Sequence, residues 1–212
     1  LDIVKKYFTP TENADEADFA LVVMDGATSG NGYNSEDAKK GGNGYVPISL
    51  QYNEYTATTA RDPSIGGGDP LEKFTNRTYR NKKSKAINTT DLGMVTEAHK
   101  KMKGKPVIVS VHLSNPSIFA EFEKLASAII VNFAVQDQAL LDILTGATEP
   151  SALLPLQIPA NMATVEKQNE DVPLDMECYL DEQGNAYDLA FGLNWKGVIN
   201  DLRTEKYRKT KK

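Results

Sequence analysis

The chain of 212 residues contains one cysteine, Cys178, and no long apolar run. A single cysteine can form neither an intrachain disulfide nor a multi-cysteine metal site. We expect no cofactor and assign no metal-ligating residue, and the sequence leaves metal dependence open. No apolar stretch approaches the roughly 20 residues that a membrane-spanning helix requires, so no membrane partner is predicted. The formal net charge of −5 provides no broad basic surface, and nucleic acid is not an expected partner.

The composition is that of an ordinary globular domain, with 40% apolar and 25% charged residues. A chain of this length can bury a sizeable core, and we assign residues 1–200 to one domain. Residues 201–212 are locally basic. We expect this tail to be a frayed, solvated terminus.

Three short runs rich in valine and isoleucine predict buried parallel strands at 19–24, 106–111 and 128–133. Apolar residues at helical spacing follow or separate them, and each set lies on one helix face. The sets are Met94, Val95, Ala98 and Met102; Ile118, Phe119, Phe122 and Leu125; and Ala139, Leu140, Ile143 and Leu144. This alternation predicts the α/β class, a three-layer sandwich with a mainly parallel, flavodoxin-like sheet.

A long insertion follows the first strand and occupies residues 26–92, far more than an ordinary connection. It is rich in glycine, and its segment 45–52 alternates like an edge strand, since Pro47 is unsuited to a central position. Further along, Asn115 and Pro116 form a good helix entry, because the amide can cap free N–H groups and proline is tolerated in the first turn.

The segment 141–155 predicts a helix that stops and turns. Gly146 can adopt the left-handed conformation that closes a helix, and Pro150 cannot continue it. The sequence pattern of this segment, L-x-G-x-x-x-P-S-x-x-L-P, resembles a signature in the C-terminal α/β domain of glycoside hydrolase family 3, the β-glucosidases and β-xylosidases.

Three further segments resemble the same family, in the same order. Residues 14–23 are similar to its A-D-x-A-I-V-V strand, residues 105–111 to its K-P-V-V-V-V strand, and residues 190–193 to its terminal Y-G-L. The resemblance covers residues 14–197.

The resemblance implies an enzyme activity: hydrolysis of terminal β-linked glycosyl residues with retention. It also implies that the nucleophile lies in an N-terminal barrel domain of the same protein, so that the chain alone is inactive. The expected substrate is a β-linked oligosaccharide or aryl glycoside. A bacterial, exported protein, periplasmic or extracellular, is implied by the family.

In this family the acid/base glutamate follows a strand equivalent to 19–24, which makes Glu36 the candidate here. We expect substrate-binding roles for Asp25, Asp69 and His112, because ligands of open α/β sheets gather beyond the carboxyl ends of the strands. Each has a structural alternative: a solvated helix start for Glu36, a turn cap for Asp25, loop ordering for Asp69 and a packed histidine for His112. Two aromatic residues that could stack on a sugar are Tyr187 and Trp195.

Two other functions stay open. The domain could be a non-catalytic sugar-binding or scaffold module, which fits the absence of the family's G-x-D-R acidic turn after the first strand. It could also be a flavodoxin-like nucleotide binder, although neither G-x-x-x-x-G-K-[ST] nor G-x-G-x-x-G follows a strand.

Overall fold

The computed structural model describes residues 2–60, 77–169 and 172–208. The strands are β1 (Ala20–Asp25), β2 (Tyr55–Thr56), β3 (Lys83–Ser84), β4 (Val107–His112), β5 (Ala128–Asn132), β6 (Leu193–Asn194) and β7 (Gly197–Val198). The α-helices are α1 (Ser35–Lys39), α2 (Thr89–Met102), α3 (Asp137–Leu144), α4 (Met162–Lys167) and α5 (Leu202–Arg208). Short 3-10 turns occur at Val4–Lys6, Phe119–Glu121 and Glu123–Leu125.

The main sheet contains the three predicted strands, all parallel, in the order β1, β4, β5. Strand β4 is therefore central, and its residue His112 lies beside Asp25 of β1 and Asn132 of β5. With helix α2 connecting β1 to β4 in the chain, the α/β sandwich predicted from the sequence is confirmed.

One face of this sheet forms the core. Alternate residues of β1 and β4 point to the same face and are buried there with side chains of α2 and of the segment after β4. These are Val22, Met24, Val107, Val109, Val111, Val95, Met102, Phe119 and Phe122. On the other face Val23 is 59% exposed, although the continuous apolar run predicted a strand covered on both sides.

The helix predicted over residues 118–125 is wrong. The backbone instead makes two 3-10 turns, and Phe122 between them has φ −139° and ψ −14°, outside the helical region. The N–H of Ile118 donates to the carbonyl of Leu50 at 2.8 Å, which ties the segment to the insertion. The amide of Asn115 donates to the carbonyl of Pro116 and caps no helix. The apolar spacing correctly predicts that these side chains are buried. A hydrogen bond to a distant part of the chain takes the place of the predicted helical backbone.

The predicted edge strand at 45–52 is also wrong, apart from one bridge between Tyr45 and Tyr33. From Ser49 to Tyr52 its N–H groups bond to side chains: that of Ser49 donates to the Ser29 hydroxyl at 2.7 Å, and that of Tyr52 to the Glu121 carboxylate at 2.6 Å. Side-chain acceptors thus replace the neighbouring strand that the alternation predicted.

Helix α3 ends where the sequence predicts. Gly146 has φ +77° and follows α3, as the helix-stop motif predicted.

The basic segment after residue 200 is helical over Leu202–Arg208, and Thr204 is 1% exposed. The carboxylate of Asp201 accepts the N–H of Arg203 at 2.8 Å. The expectation of a frayed terminus is therefore wrong for this part of the tail.

Candidate functional site

Asp25 and His112 end neighbouring parallel strands, and the structure brings their side chains together. His112 Nδ1 lies 2.8 Å from Asp25 Oδ1. Both remain accessible, with side-chain exposures of 40% for His112 and 69% for Asp25. An α/β domain of this kind binds ligands at the carboxyl end of its parallel sheet, and this hydrogen-bonding pair faces solvent there.

Side chains of the insertion bond to the backbone at Asp25 and hold it in place. The hydroxyl of the fully buried Tyr52 donates to the carbonyl of Asp25 at 2.6 Å, and the amide of Asn88 donates to the carbonyl of Gly26 at 3.1 Å. Burial, followed by the negative charge of Asp91, raises the pKa of the Tyr52 phenol, which therefore stays a donor. These contacts fix the direction in which Asp25 leaves the sheet.

Glu121 anchors the same part of the insertion. Its carboxylate accepts from the N–H of Tyr52 at 2.6 Å and from the N–H and side-chain amide of Asn53 at 3.0 and 2.7 Å. With three donors on two oxygens, this carboxylate is structurally committed. Sequence reasoning missed Glu121, Tyr52 and Asn88, because no local pattern indicates that Tyr52 and Asn88 meet the end of β1 or that Glu121 holds Tyr52.

Glu36 lies in the first turn of α1. The side chain of Asn34 caps this helix by accepting the N–H of Glu36 at 2.9 Å. The Glu36 carboxylate accepts from Lys39 Nζ at 2.6 Å, and its side chain is 62% exposed. The solvated helix start that the sequence offers as an alternative is thus present, on an exposed loop. The acid/base assignment stays a prediction.

Asp37, next to Glu36, anchors this loop. Its Oδ2 accepts from Lys82 Nζ at 2.7 Å and from the N–H of Gly44 at 2.8 Å. The hydrogen bond from Lys82, and after it the one from Gly44, hold the pKa of the Asp37 carboxyl below its ordinary value. The helix that carries Glu36 is therefore attached to the rest of the insertion by a charged contact.

We expect this contact to make the chain less stable in acid. A carboxyl with a lowered pKa in the folded state adds stability above its unfolded value of about 3.9, and the contribution is lost as the pH falls through the folded value. The Asp37→Asn variant should be less stable at neutral pH and should lose less stability on acidification. Urea unfolding at a series of pH values measures both effects.

The matched control is Asp18→Asn, which changes an exposed aspartate. Its stability at neutral pH should stay close to that of wild type, since substitutions at exposed positions usually change it by less than about 0.5 kcal/mol. Parallel curves for wild type and Asp37→Asn would contradict the role of this carboxyl.

The sequence offers three further candidate site residues: Asp69, Tyr187 and Trp195. Asp69 lies outside the described residues. Tyr187 is half-buried; its ring stacks on that of Phe191, with centroids 5.1 Å apart, and its hydroxyl donates to Glu123 at 3.2 Å. Trp195 lies between β6 and β7 and is 58% exposed.

A cleft of about 370 Å³ lies in the C-terminal part of the chain, and its lining includes Leu189, Phe191, Val198 and Tyr207. None of the predicted site residues lines it. In the three described ranges, no group of three or more histidine, cysteine, aspartate or glutamate side chains could hold a metal ion. The same ranges contain no helix with the length and apolarity needed to cross a bilayer.

The fold and this strand-end site define an α/β domain whose polar loops extend from a parallel sheet. The model of the glycosyl hydrolase family 3 C-terminal domain matches residues 5–195. The chain therefore belongs to glycosyl hydrolase family 3 and contains its C-terminal domain.

Relatives of known name support this membership. Beta-glucosidase C of Emericella nidulans is 31% identical over 94 residues, which are 44% of this chain and 15% of that protein. A periplasmic beta-glucosidase/beta-xylosidase of Dickeya chrysanthemi and a probable beta-glucosidase C of Aspergillus oryzae are 33% and 34% identical over 70 residues. Each of these matches covers 33% of this chain and 11% of the relative.

Proposed function

We propose that this chain is the C-terminal domain of a retaining glycosidase that removes terminal β-linked glucosyl or xylosyl residues. The observation that carries the proposal is the family match over residues 5–195, with Asp25 and His112 paired at the carboxyl end of the sheet. The relatives' names, beta-glucosidase and beta-glucosidase/beta-xylosidase, supply the substrate class.

A retaining glycosidase needs two carboxyl groups about 5 Å apart, one to attack the anomeric carbon and one to protonate the leaving oxygen. In our proposal the attacking carboxylate belongs to an N-terminal barrel domain. Glu36 provides the proton, from a loop that is anchored at its base by Asp37 and open at its surface. This division of the active centre between two domains explains why an acid/base residue would be exposed in the chain considered alone.

Asp25 and His112 have a second role in this proposal. A carboxylate accepts hydrogen bonds from sugar hydroxyls, and an imidazole beside it can donate or accept. Because the pair is partly accessible and its backbone is fixed by Tyr52, it is suited to hold a sugar at a defined orientation. A substrate-binding role for Asp69 stays a prediction from the sequence.

We further propose export to the periplasm or the extracellular space, where polymeric glycosides are available. The support is the name of the Dickeya chrysanthemi relative, a periplasmic enzyme. A bacterial source stays a prediction, since Emericella nidulans and the Aspergillus relatives are fungi.

The test compares this chain with a longer protein in which it follows a family 3 barrel. On an aryl β-glycoside the chain alone should release no phenol, and the longer protein should hydrolyse the substrate. Proton NMR of the first product formed should show the β-anomer. Hydrolysis by the chain alone would contradict the shared active centre, and an inverted product would contradict the retaining mechanism.

Two other results would identify the alternatives. Sugar binding by the longer protein without hydrolysis would indicate a non-catalytic module. An increase of the melting temperature of this chain by a nucleotide, with none from a sugar, would indicate a nucleotide binder.

A further inference from the structure

Tyr33 exposes an aromatic ring in the loop that carries Glu36. It precedes Glu36 by three residues, and 55% of its surface is accessible. An exposed tyrosine in a loop is ordinary if it is mobile. The contacts of Tyr33 instead hold the ring in place.

The first contact is a short antiparallel pairing at the base of the loop. Tyr33 and Tyr45 form a β-bridge, flanked by a hydrogen bond from the N–H of Asn34 to the carbonyl of Gly44 at 2.8 Å and one from the N–H of Val46 to the carbonyl of Gly32 at 3.0 Å. The rings of Tyr33 and Tyr45 meet edge to face, with centroids 6.4 Å apart and planes at 88°. This geometry is a favourable one for aromatic pairs.

The second contact is with Gly44. Its φ is +78°, and a Cβ at this position would overlap the ring of Tyr33. The position therefore requires glycine for two independent reasons, backbone conformation and ring clearance. Since the N–H of Gly44 also donates to Asp37, the tyrosine ring and the helix of Glu36 share one anchor.

Apolar surface continues beside the ring. Ile48 is 51% exposed and lies against Gly32, the residue before Tyr33. The loop that carries Glu36 thus also presents a held aromatic ring and an exposed aliphatic side chain. A pyranose fits such a surface, because its axial C–H groups form an apolar face that can lie on an aromatic ring. Its hydroxyls project from the rim and can donate hydrogen bonds to a carboxylate.

We propose that Tyr33 is a stacking platform for a pyranose ring of the β-linked substrate and determines the affinity of the site for it. This inference rests on the proposed function, since the sugar and Glu36 belong to the same site. Tyr33 binds the apolar face of the sugar, and the Gly44 and Tyr45 contacts keep its ring from turning away.

The test uses the whole 212-residue chain and cellobiose as the probe. Saturation-transfer NMR should detect contact between tyrosine ring protons and sugar C–H protons. The Tyr33→Phe variant should bind like wild type, and Tyr33→Ala should bind about tenfold more weakly, which corresponds to losing the contact of one stacked ring. Gly44→Ala keeps the tyrosine but displaces its ring, and should weaken binding to a similar extent.

The control is Tyr207→Ala, which removes another exposed aromatic ring, in helix α5, and should leave binding unchanged. Circular dichroism establishes that each variant is folded. No saturation transfer in wild type, equal binding by wild type and Tyr33→Ala, or an equal loss of binding in Tyr33→Ala and Tyr207→Ala would each overturn the platform.

The platform and the proposed function fail in different ways. A longer, barrel-containing protein whose hydrolysis has the same KM with Tyr33→Ala would overturn the platform and leave the glycosidase intact. Cellobiose contact at Tyr33 without any hydrolysis by the longer protein would support the platform and overturn the glycosidase.

Discussion

The Phe122→Ala variant is expected to lower the free energy of unfolding by about 3–5 kcal/mol. Phe122 is fully buried, and its ring lies 5.0 Å from that of Phe119 and 6.2 Å from that of Tyr52, measured between centroids. Alanine would leave a cavity that the surrounding aromatic rings, held by their own contacts, cannot fill. Urea unfolding monitored by circular dichroism measures the effect.

The matched control is Phe133→Ala, which removes the same ring from a position that is 46% exposed. Its cost should be about 1 kcal/mol or less, because a partly exposed side chain loses little buried area. Similar losses for Phe122→Ala and Phe133→Ala would contradict the core described above.

The loss at Phe122 should extend to the candidate site. Phe122 contacts the ring of Tyr52, and the Tyr52 hydroxyl holds the carbonyl of Asp25. The packing of the core and the position of the strand-end carboxylate are thus connected through one tyrosine. This connection explains how a long insertion can support a precise site: its central aromatic residue is part of the core.

The parallel sheet could be predicted from the sequence because its evidence is local. Three runs of β-branched residues give β1, β4 and β5, and the periodicity around Val95 and Met102 gives α2. The φ of +77° at Gly146 was predicted for the same reason, since a helix-ending glycine is recognised from its immediate neighbours.

The segments that were predicted wrongly depend on distant partners. The N–H of Ile118 bonds to Leu50, and the N–H of Tyr52 bonds to Glu121. Each bond joins residues that are far apart in the chain, and each replaces the helix or strand that local spacing suggests. Hydrophobic periodicity indicated which side chains are buried, but it contains no information about such backbone partners.

The candidate site was predictable to a similar degree. Asp25 and His112 were each predicted at the carboxyl end of a parallel strand, and the structure pairs them at 2.8 Å. The residues that support them, Tyr52 and Asn88, come from the insertion and have no motif. The topology therefore predicts which strand-end residues meet, whereas their support requires the three-dimensional structure.

The largest expected effect on activity is that of Glu36→Gln in the longer, barrel-containing protein. If Glu36 is the acid/base, glutamine removes the proton donor and kcat should fall by about 10²- to 10⁴-fold. The fall should be smaller for aryl glycosides whose phenol leaves without protonation. Steady-state kinetics on a series of aryl β-glycosides measures this dependence.

Added azide distinguishes a missing base from a misfolded protein. In the second step of a retaining reaction the acid/base residue deprotonates the attacking water, and azide needs no such help because it is already a nucleophile. With Glu36→Gln, azide should restore turnover and produce a β-glycosyl azide. A variant that is inactive with and without azide, yet folded, would assign the proton transfer to another residue.

Glu97→Gln is the matched control for this change. Glu97 is an exposed glutamate with a side-chain exposure of 64%, and it pairs with Lys101 at 2.7 Å much as Glu36, 62% exposed, pairs with Lys39 at 2.6 Å. The two substitutions therefore remove the same charge from similar surface ion pairs, which contribute little to stability. Because only Glu36 lies in the loop proposed to meet the barrel, only its substitution should change kcat. Equal activities of the two variants would show that Glu36 is a solvated helix residue and that the acid/base lies elsewhere.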